Sequence, residues 1–234
     1  MVTGASSGIG FELARQLAKR GFDLVVNAED HDRLYAAAQR FREAGAQVEV
    51  VQADLRAYDE VERLYAVVAA VGQPVAVAAL NAGVGCGGAF HDNMLADELE
   101  VVDLNVRSTV HFAKRVLQDM VAIDAGYVLI SSSIAAMMPG SYQAVYNASK
   151  SFLQSFTQAL QNELKDTGVS ITALMPGPTE TDIFHRAGMD DTTVGQQVKD
   201  DPAQVAEQGL DALFADKHRI AAGSVKTKAQ GLAL

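Results

Sequence analysis

The chain has 234 residues, of which 49% are hydrophobic and 21% charged, a composition that predicts one domain with a substantial core. Its 19 basic and 29 acidic residues leave a formal charge of −10, which argues against a general binder of nucleic acid. The single cysteine, Cys86, excludes an intramolecular disulfide and a cysteine-rich zinc site, and no metal is expected.

The sequence contains no stretch close to the roughly 20 apolar residues that span a bilayer, so no membrane partner is expected. Met1 is followed at once by a motif rather than by a signal peptide. These features predict a soluble, cytoplasmic protein. The first predicted strand is very short, and the chain stops without a clear closing element. We therefore expect that residues are missing from one or both ends of the printed sequence.

The first motif is a glycine-rich turn between an apolar strand and a helical pattern, residues 11–20. Gly4, Gly8 and Gly10 allow a tight turn and close backbone approach, and the free N–H groups at the helix start favour a pyrophosphate. The spacing GxxxGxG differs from the GxGxxG of the long-chain dinucleotide folds. The motif predicts a nucleotide site, with a simple turn as the alternative.

Glu29 follows the predicted second strand, residues 22–27, and lies 19 residues after Gly10. An acid at about this distance in a βαβ unit reaches the hydroxyls of the adenosine ribose. It accepts a hydrogen bond from a 2′-hydroxyl and repels a 2′-phosphate, whose charge is near ~−2. Glu29 therefore favours NAD(H), although a solvated loop acid or a helix cap is the alternative.

Strand and helix patterns alternate along the rest of the chain. Apolar runs of strand length between helical patterns are typical of a parallel sheet buried on both faces. They predict a doubly wound, mostly parallel α/β fold of three α/β/α layers in a single Rossmann-like domain. The predicted helices are residues 33–44, 59–71, 97–121 and 202–214, and the predicted later strands are 47–51, 75–80, 126–130, 169–174 and 220–222.

Small and polar residues follow two of these strands, as Asn81-Ala82-Gly83 and Ser131-Ser132-Ser133. Open α/β sheets bind their ligands at the carboxyl ends of the strands, so a site is expected there. Residues 182–201 have no clean period and are predicted to form a mobile substrate flap. Asn105 interrupts an apolar helix face, either as a satisfied core amide or as a placed polar group.

Tyr146 and Lys150 are four residues apart in a helical pattern, residues 142–156, which places both side chains on one helix face. An ammonium beside a phenol favours the phenolate, so the tyrosine proton becomes available near neutral pH. Taken alone, the pair is weak evidence, and a surface tyrosine with a solvated lysine is the simpler interpretation.

Taken together, the motifs resemble the short-chain dehydrogenase/reductase family over essentially the whole chain. They occur in the family's order, and Ser133 precedes Tyr146 by 13 residues. The matching residues are Thr3-Gly4-xxx-Gly8-x-Gly10, Asp54, Asn81-Ala82-Gly83, Asn105, Ser133, Tyr146-xxx-Lys150 and Pro176-Gly177. The resemblance implies an NAD(P)-dependent oxidoreductase that transfers a hydride between a nicotinamide dinucleotide and a carbonyl or secondary alcohol.

The resemblance also implies the roles of the site residues. Tyr146 would be the general acid and base, with its pKa lowered by Lys150, and Ser133 would bind the substrate oxygen. Asn105 would hold a water in a proton relay that ends at Lys150. The implied coenzyme contacts are Gly4, Ser6, Ser7, Gly8, Ile9, Gly10, Glu29, Asp54, Leu55, Asn81, Ala82, Gly83, Tyr146, Lys150, Pro176, Gly177, Thr179 and Thr181.

Coenzyme choice follows less directly from the resemblance. Family members that use NADP usually have a basic residue at the position of Glu29 or Ser7, and neither is basic here. Members that use NAD usually have an acid at the position of Ala28, one residue before Glu29. NAD(H) is therefore favoured over NADP(H).

Apolar side chains near the motifs predict a pocket for a small hydrophobic ketone or secondary alcohol, although each could instead fill core. They are Phe90, Met137, Met138, Tyr142 and Phe184. The resemblance implies a homodimer or homotetramer. Two other functions stay open: a dinucleotide-binding sensor without turnover, and a lyase or isomerase that uses the same tyrosine.

Overall fold

The computed structural model describes residues 1–232, whose strands form one seven-stranded parallel sheet. The strands are β1 (Val2–Thr3), β2 (Leu24–Ala28), β3 (Val48–Gln52), β4 (Val77–Leu80), β5 (Gly126–Ser131), β6 (Val169–Pro176) and β7 (Arg219–Ala222). Their order in the sheet is β3-β2-β1-β4-β5-β6-β7. The order reverses between β1 and β4, so the predicted doubly wound, Rossmann-like fold is confirmed.

Helices cover both faces of the sheet because each buries one apolar stripe against it. The helices are α1 (Gly8–Lys19), α2 (His31–Glu43), α3 (Tyr58–Ala70), α4 (Leu95–Val101), α5 (Ser108–Ala122), α6 (Ala144–Glu163), α7 (Ile183–Arg186), α8 (Thr193–Gln196), α9 (Pro202–Phe214) and α10 (Val225–Leu232). One core cluster joins the sheet to α1, α2 and α9, and the other joins it to α3, α5 and α6.

The carboxyl ends of β1 and β4 are tied together by Thr3. Its hydroxyl oxygen accepts hydrogen bonds from the backbone N–H groups of Asn81 at 2.9 Å and Ala82 at 3.0 Å. Ser131 at the end of β5 donates to the Asn81 side chain at 3.0 Å. These bonds hold three strand ends at the crevice where the order of the sheet reverses.

Two helix predictions are wrong in detail. The predicted helix 97–121 is interrupted by a π-helical segment, Val102–Arg107, between α4 and α5, and this segment carries Asn105. The segment contains no glycine or proline that would mark it, so the sequence pattern does not reveal its wider i→i+5 turn. The other predicted helix starts later than residue 142, because Tyr142 has a φ of 63°, outside the helical region.

The predicted flap, residues 182–201, contains the short helices α7 and α8. An isolated parallel bridge joins Asp200, near the end of the flap, to Thr179, which lies three residues before its start. Its mobility stays a prediction. Within the described residues, no helix has the length and apolar character needed to cross a membrane.

Candidate active site

Four predicted catalytic residues converge at the carboxyl end of the sheet. Ser133 follows β5, and its hydroxyl donates to the carbonyl of Pro176 at 3.4 Å and accepts from the N–H of Ala135 at 3.1 Å. Lys150, one turn further along α6, is 95% buried and its Nζ lies 5.7 Å from the centroid of the Tyr146 ring. The Nζ donates to the carbonyl of Ser131 at 3.0 Å, which fixes the ammonium beneath the strand end.

The Tyr146 pKa differs from the sequence-based expectation. Burial raises it above the ordinary value, because the phenolate loses water, and the neighbouring Ser133 hydroxyl, which can donate to a phenolate, only partly opposes that shift. Lys150 is close enough to favour the phenolate, but its own pKa is lowered to about 8 by burial. The pKa of Tyr146 is therefore raised, and not lowered by Lys150 as the resemblance implied.

Asn105 is fully buried in the π-helical segment and fixes the backbone after β4. Its Oδ1 accepts from the N–H of Val84 at 2.9 Å, and its Nδ2 donates to the carbonyl of Val84 at 3.0 Å. Nδ2 also donates to Ser149 on α6 at 3.0 Å. A Cβ placed on Gly83 would lie 3.1 Å from Asn105 Oδ1 and 3.4 Å from Lys150 Nζ, so both side chains border this glycine.

Replacing Lys150 with methionine is expected to stabilise the fold. Between the folded-state pKa of about 8 and the value of unfolded lysine, the unfolded chain binds more protons, so the free energy of unfolding rises with pH across that window. Below about pH 8 Lys150 is charged in the folded parent protein, so the free energy of unfolding is lowered by the full cost of burying that charge. We expect Lys150→Met to raise the free energy of unfolding by about 1–3 kcal/mol near neutral pH, after loss of the Ser131 hydrogen bond.

Chemical denaturation at neutral pH and at about pH 10 measures this gain, which should largely vanish at the higher pH. The exposed Lys165 provides the control, because Lys165→Met removes a charge that is already in water. A destabilised Lys150→Met protein, or an equal gain at both pH values, would contradict the prediction.

A groove of about 160 Å³ runs along the carboxyl ends of β1, β2 and β4. Gly8 lines the groove, and a Cβ placed on it would lie 2.7 Å from Thr181 Cγ2. Thr181, the residue just before the flap, therefore lies close to the glycine-rich turn. The predicted coenzyme residues in the groove are Gly4, Ser6, Ser7, Gly8, Ile9, Glu29, Asp54, Leu55, Asn81, Ala82, Gly83 and Thr181. Gly10 does not line it but packs against the carbonyl of Gly4.

One end of the groove is surrounded by charged side chains that the sequence did not associate with Glu29. Arg56 donates to the Glu29 carboxylate at 2.8 Å, and Arg186 of the flap donates to it at 3.4 Å. Arg33 donates to Asp182, also on the flap. Two ion pairs therefore connect the end of β2 and the start of α2 to the flap across the groove. In one pair the flap supplies the acid, and in the other it supplies the arginine.

Asp54 lies in the same corner and is held by Arg56, which donates to its two carboxylate oxygens at 2.8 and 3.0 Å. Burial raises the Asp54 pKa, but the hydrogen bonds and charge of Arg56 outweigh burial and keep that pKa below its ordinary value. The acid is thus ionised at neutral pH and fixed in orientation.

A second cavity of about 340 Å³ adjoins the groove and contains Tyr146, Lys150 and Ser133. Pro176, Gly177 and Thr179 also line it. Its other lining residues are mostly apolar or neutral and polar, and include Ile134, Ala135, Met138, Pro139, Gln143, Asn147, Phe184, Ala187, Met189, Gln197 and Gln230.

The substrate predictions are corrected at three positions. Met138 and Phe184 line the cavity, but Phe90, Met137 and Tyr142 do not. Phe90 and Tyr142 are 60% and 69% exposed, because the loop before α4 and the turn before α6 direct them into solvent. The polar lining residues were missed: Gln143 precedes α6, but Gln197 and Gln230 are far away in sequence, and no local pattern signals them.

Among the described residues, no group of three or more histidine, cysteine, aspartate and glutamate side chains is arranged to hold a metal ion. The glycine-lined groove and the cavity with Tyr146 instead form a continuous site, since Asn81, Gly83 and Thr181 border both. Such a site can bind an extended ligand in the groove and exchange a proton at its other end.

Comparison with known proteins gives related sequences and folds. A family model described as short chain dehydrogenase matches residues 1–192. A candidate ketoacyl reductase of Streptomyces coelicolor is 37% identical over 185 residues, covering 77% of this chain and 70% of that protein.

Two solved structures show the same architecture. A short-chain dehydrogenase from Sphingobium yanoikuyae in complex with NADPH is 30% identical, with a TM-score of 0.86 over 93% of this chain and 85% of that one. A short-chain dehydrogenase/reductase from Burkholderia phymatum in complex with NAD is 25% identical, with a TM-score of 0.85 over 94% and 86%. Since the family model matches most of its length, the chain belongs to the short-chain dehydrogenase family.

Proposed function

We propose that the protein is an oxidoreductase that transfers a hydride between a nicotinamide dinucleotide and a carbonyl or secondary alcohol. The observation that carries the proposal is the convergence of Ser133, Tyr146 and Lys150 in a cavity that opens into a glycine-lined groove. The related proteins bound to NADPH and NAD support the same class of coenzyme.

The residues of this chain divide the work of the reaction. Tyr146 gives a proton to the carbonyl oxygen in reduction and removes it from the alcohol in oxidation. Ser133 donates a hydrogen bond to the same oxygen as negative charge develops. Lys150 holds a positive charge near the phenol and binds the nicotinamide ribose, and Asn105 holds a relay water near it. The bound dinucleotide supplies or accepts the hydride.

The groove residues fit a dinucleotide. The glycine-rich turn exposes N–H groups at the start of α1, where a pyrophosphate binds, and Asp54 and Leu55 border the adenine end. Pro176, Gly177, Thr179 and Thr181 would hold the carboxamide at the other end.

We propose NAD(H) as the favoured coenzyme. A 2′-phosphate at the ribose corner would meet Glu29 and Asp54, both of them acids. The nearby arginines, Arg56 and Arg186, are already paired with these acids, so their charge is largely neutralised. A 2′-hydroxyl, in contrast, can donate to the Glu29 carboxylate without displacing an arginine.

The proposed substrate is a small, largely apolar and neutral ketone or secondary alcohol. Lys150 is the only charged side chain among the described residues that line the cavity. In this proposal Lys150 is engaged with Ser131 and the nicotinamide ribose, so an anionic substrate group buried there would have no other cation to pair with and would pay the cost of desolvation. Gln143, Gln197 and Gln230 can hydrogen-bond a neutral polar group instead. Homodimer or homotetramer formation and a cytoplasmic location remain part of the proposal.

Coenzyme absorbance with matched substrates tests the function. We expect reduction of methyl levulinate and larger neutral ketones with NADH, and a kcat/KM about tenfold or more lower for levulinate, the free acid of the same chain. We also expect a higher kcat/KM with NADH than with NADPH. No turnover with any ketone or alcohol would refute the oxidoreductase, whereas a strong NADPH preference would refute only the role given to Glu29.

A further inference from the structure

Asp200 joins three segments that are distant in sequence. Its backbone N–H donates to the carbonyl of Pro178 at 2.7 Å, and its carbonyl accepts from the N–H of Glu180 at 2.9 Å. Its carboxylate accepts from the N–H of Ser224 at 3.0 Å and from the hydroxyl of Thr227 at 2.6 Å. Asp200 therefore connects the loop after β6, the end of the flap and the start of α10.

The carboxylate is packed directly against the loop that lines the cavity. Asp200 is 92% buried, and a Cβ placed on Gly177 would lie 3.2 Å from its Oδ2 and 2.5 Å from Thr227 Oγ1. On the other side, a Cβ placed on Gly223 would lie 2.0 Å from Oδ2. The Asp200 carboxylate thus occupies the space beside Gly177 and Gly223 that a side chain at either position would fill. The backbone of Gly177 is packed against it and cannot move closer.

This arrangement fixes the part of the loop that the proposed function assigns to the nicotinamide. Within the loop, Thr179 donates to the carbonyl of Gly177 at 2.9 Å and Thr181 donates to the carbonyl of Thr179 at 3.4 Å. These bonds are local, and β6 ends at Pro176. Through its bonds and packing, Asp200 connects residues 177–180 to the start of α10.

We propose that Asp200 is a positioning residue for the nicotinamide end of the coenzyme site. It acts through residues 177–180 and touches no reacting atom. The inference rests on the proposed coenzyme, but it concerns one half of that coenzyme only. The strand ends beside the glycine-rich turn are held by the bonds of Thr3 to Asn81 and Ala82, which do not involve Asp200.

Isothermal titration calorimetry of the intact protein with NADH and with ADP-ribose tests the proposal, because ADP-ribose lacks the nicotinamide. For Asp200→Ala we expect the Kd of NADH to rise about tenfold, since the carboxylate's bonds to Ser224 and Thr227 and its packing against Gly177 are lost, while the Kd of ADP-ribose stays within about twofold. Asp200→Asn keeps an acceptor for Ser224 and an amide that Thr227 can accept from, so it should recover most of the NADH affinity.

Asp201 supplies the matched control. It is the next residue, is exposed, and caps α9 by accepting from the N–H of Ala203 at 2.8 Å without a bond to the loop. Asp201→Ala should lower thermal stability and leave both affinities unchanged. Equal weakening of NADH and ADP-ribose in Asp200→Ala, no weakening of either, or the same selective loss in Asp201→Ala would overturn the proposal. Failure of the parent protein to bind either ligand would instead refute the proposed coenzyme.

Discussion

Replacing Tyr146 with phenylalanine is expected to lower kcat by about 10²- to 10⁴-fold, because the variant loses the only proposed proton donor at the substrate oxygen. Coenzyme affinity should change little, since the hydroxyl group is removed at the cavity rather than in the groove. Steady-state turnover of a ketone with NADH and titration of NADH measure the two effects separately.

Tyr142 provides the same chemical change four residues earlier. It is 69% exposed and lies outside the cavity, so Tyr142→Phe should retain full activity. Retained turnover in Tyr146→Phe would refute the catalytic assignment. Substrate conversion without net coenzyme turnover in the parent protein would favour the lyase or isomerase alternative, and coenzyme binding without any conversion would favour the sensor.

Replacing Gly10 with alanine is expected to weaken coenzyme binding by about tenfold or more, through overpacking of the glycine-rich turn. The added Cβ would lie 2.1 Å from the carbonyl oxygen of Gly4 and 2.5 Å from Asn81 Nδ2. The first of these atoms is backbone, so α1 must move away from the end of β1. The N–H groups at the start of α1 would then no longer face the groove correctly.

Gly21 separates this effect from a general loss of stability. Its φ is 86°, and nothing lies within 4 Å of an added Cβ, so Gly21→Ala introduces backbone strain of about 1–2 kcal/mol without a collision. We expect both variants to show a lower midpoint of chemical denaturation, but only Gly10→Ala to lose NADH affinity. Equal NADH affinity in the two variants would show that close helix packing at Gly10 is not needed.

Much of the fold follows from the sequence because its signals are local. Apolar runs such as residues 75–80 mark buried parallel strands, and Gly4 and Gly8 have the positive φ values that a tight turn requires. The Tyr146–Lys150 spacing likewise depends only on helix geometry. Predicted strand and helix ends differ from the observed ends mostly by one or two residues, where helices fray.

The features that were missed depend on contacts between distant segments. The pairing of Glu29 with Arg186 joins residues 157 positions apart, and the Asp200–Thr227 bond joins residues 27 positions apart. The raised pKa of Tyr146 depends on burial, which spacing cannot reveal. The π-helical segment around Asn105 is a local feature, but it alters only the backbone hydrogen-bond pattern and contains no glycine or proline that would mark it.

Thr181 and Ile183 lie between the coenzyme groove and the cavity with Tyr146, so binding in one of them is expected to affect binding in the other. Both residues line the groove and the cavity, so they form a partition shared by two binding sites. A ligand that orders this partition from one side reduces the conformational entropy left to lose on the other. Whatever factor the dinucleotide contributes to substrate affinity, the substrate must contribute to dinucleotide affinity, since equilibrium coupling is reciprocal.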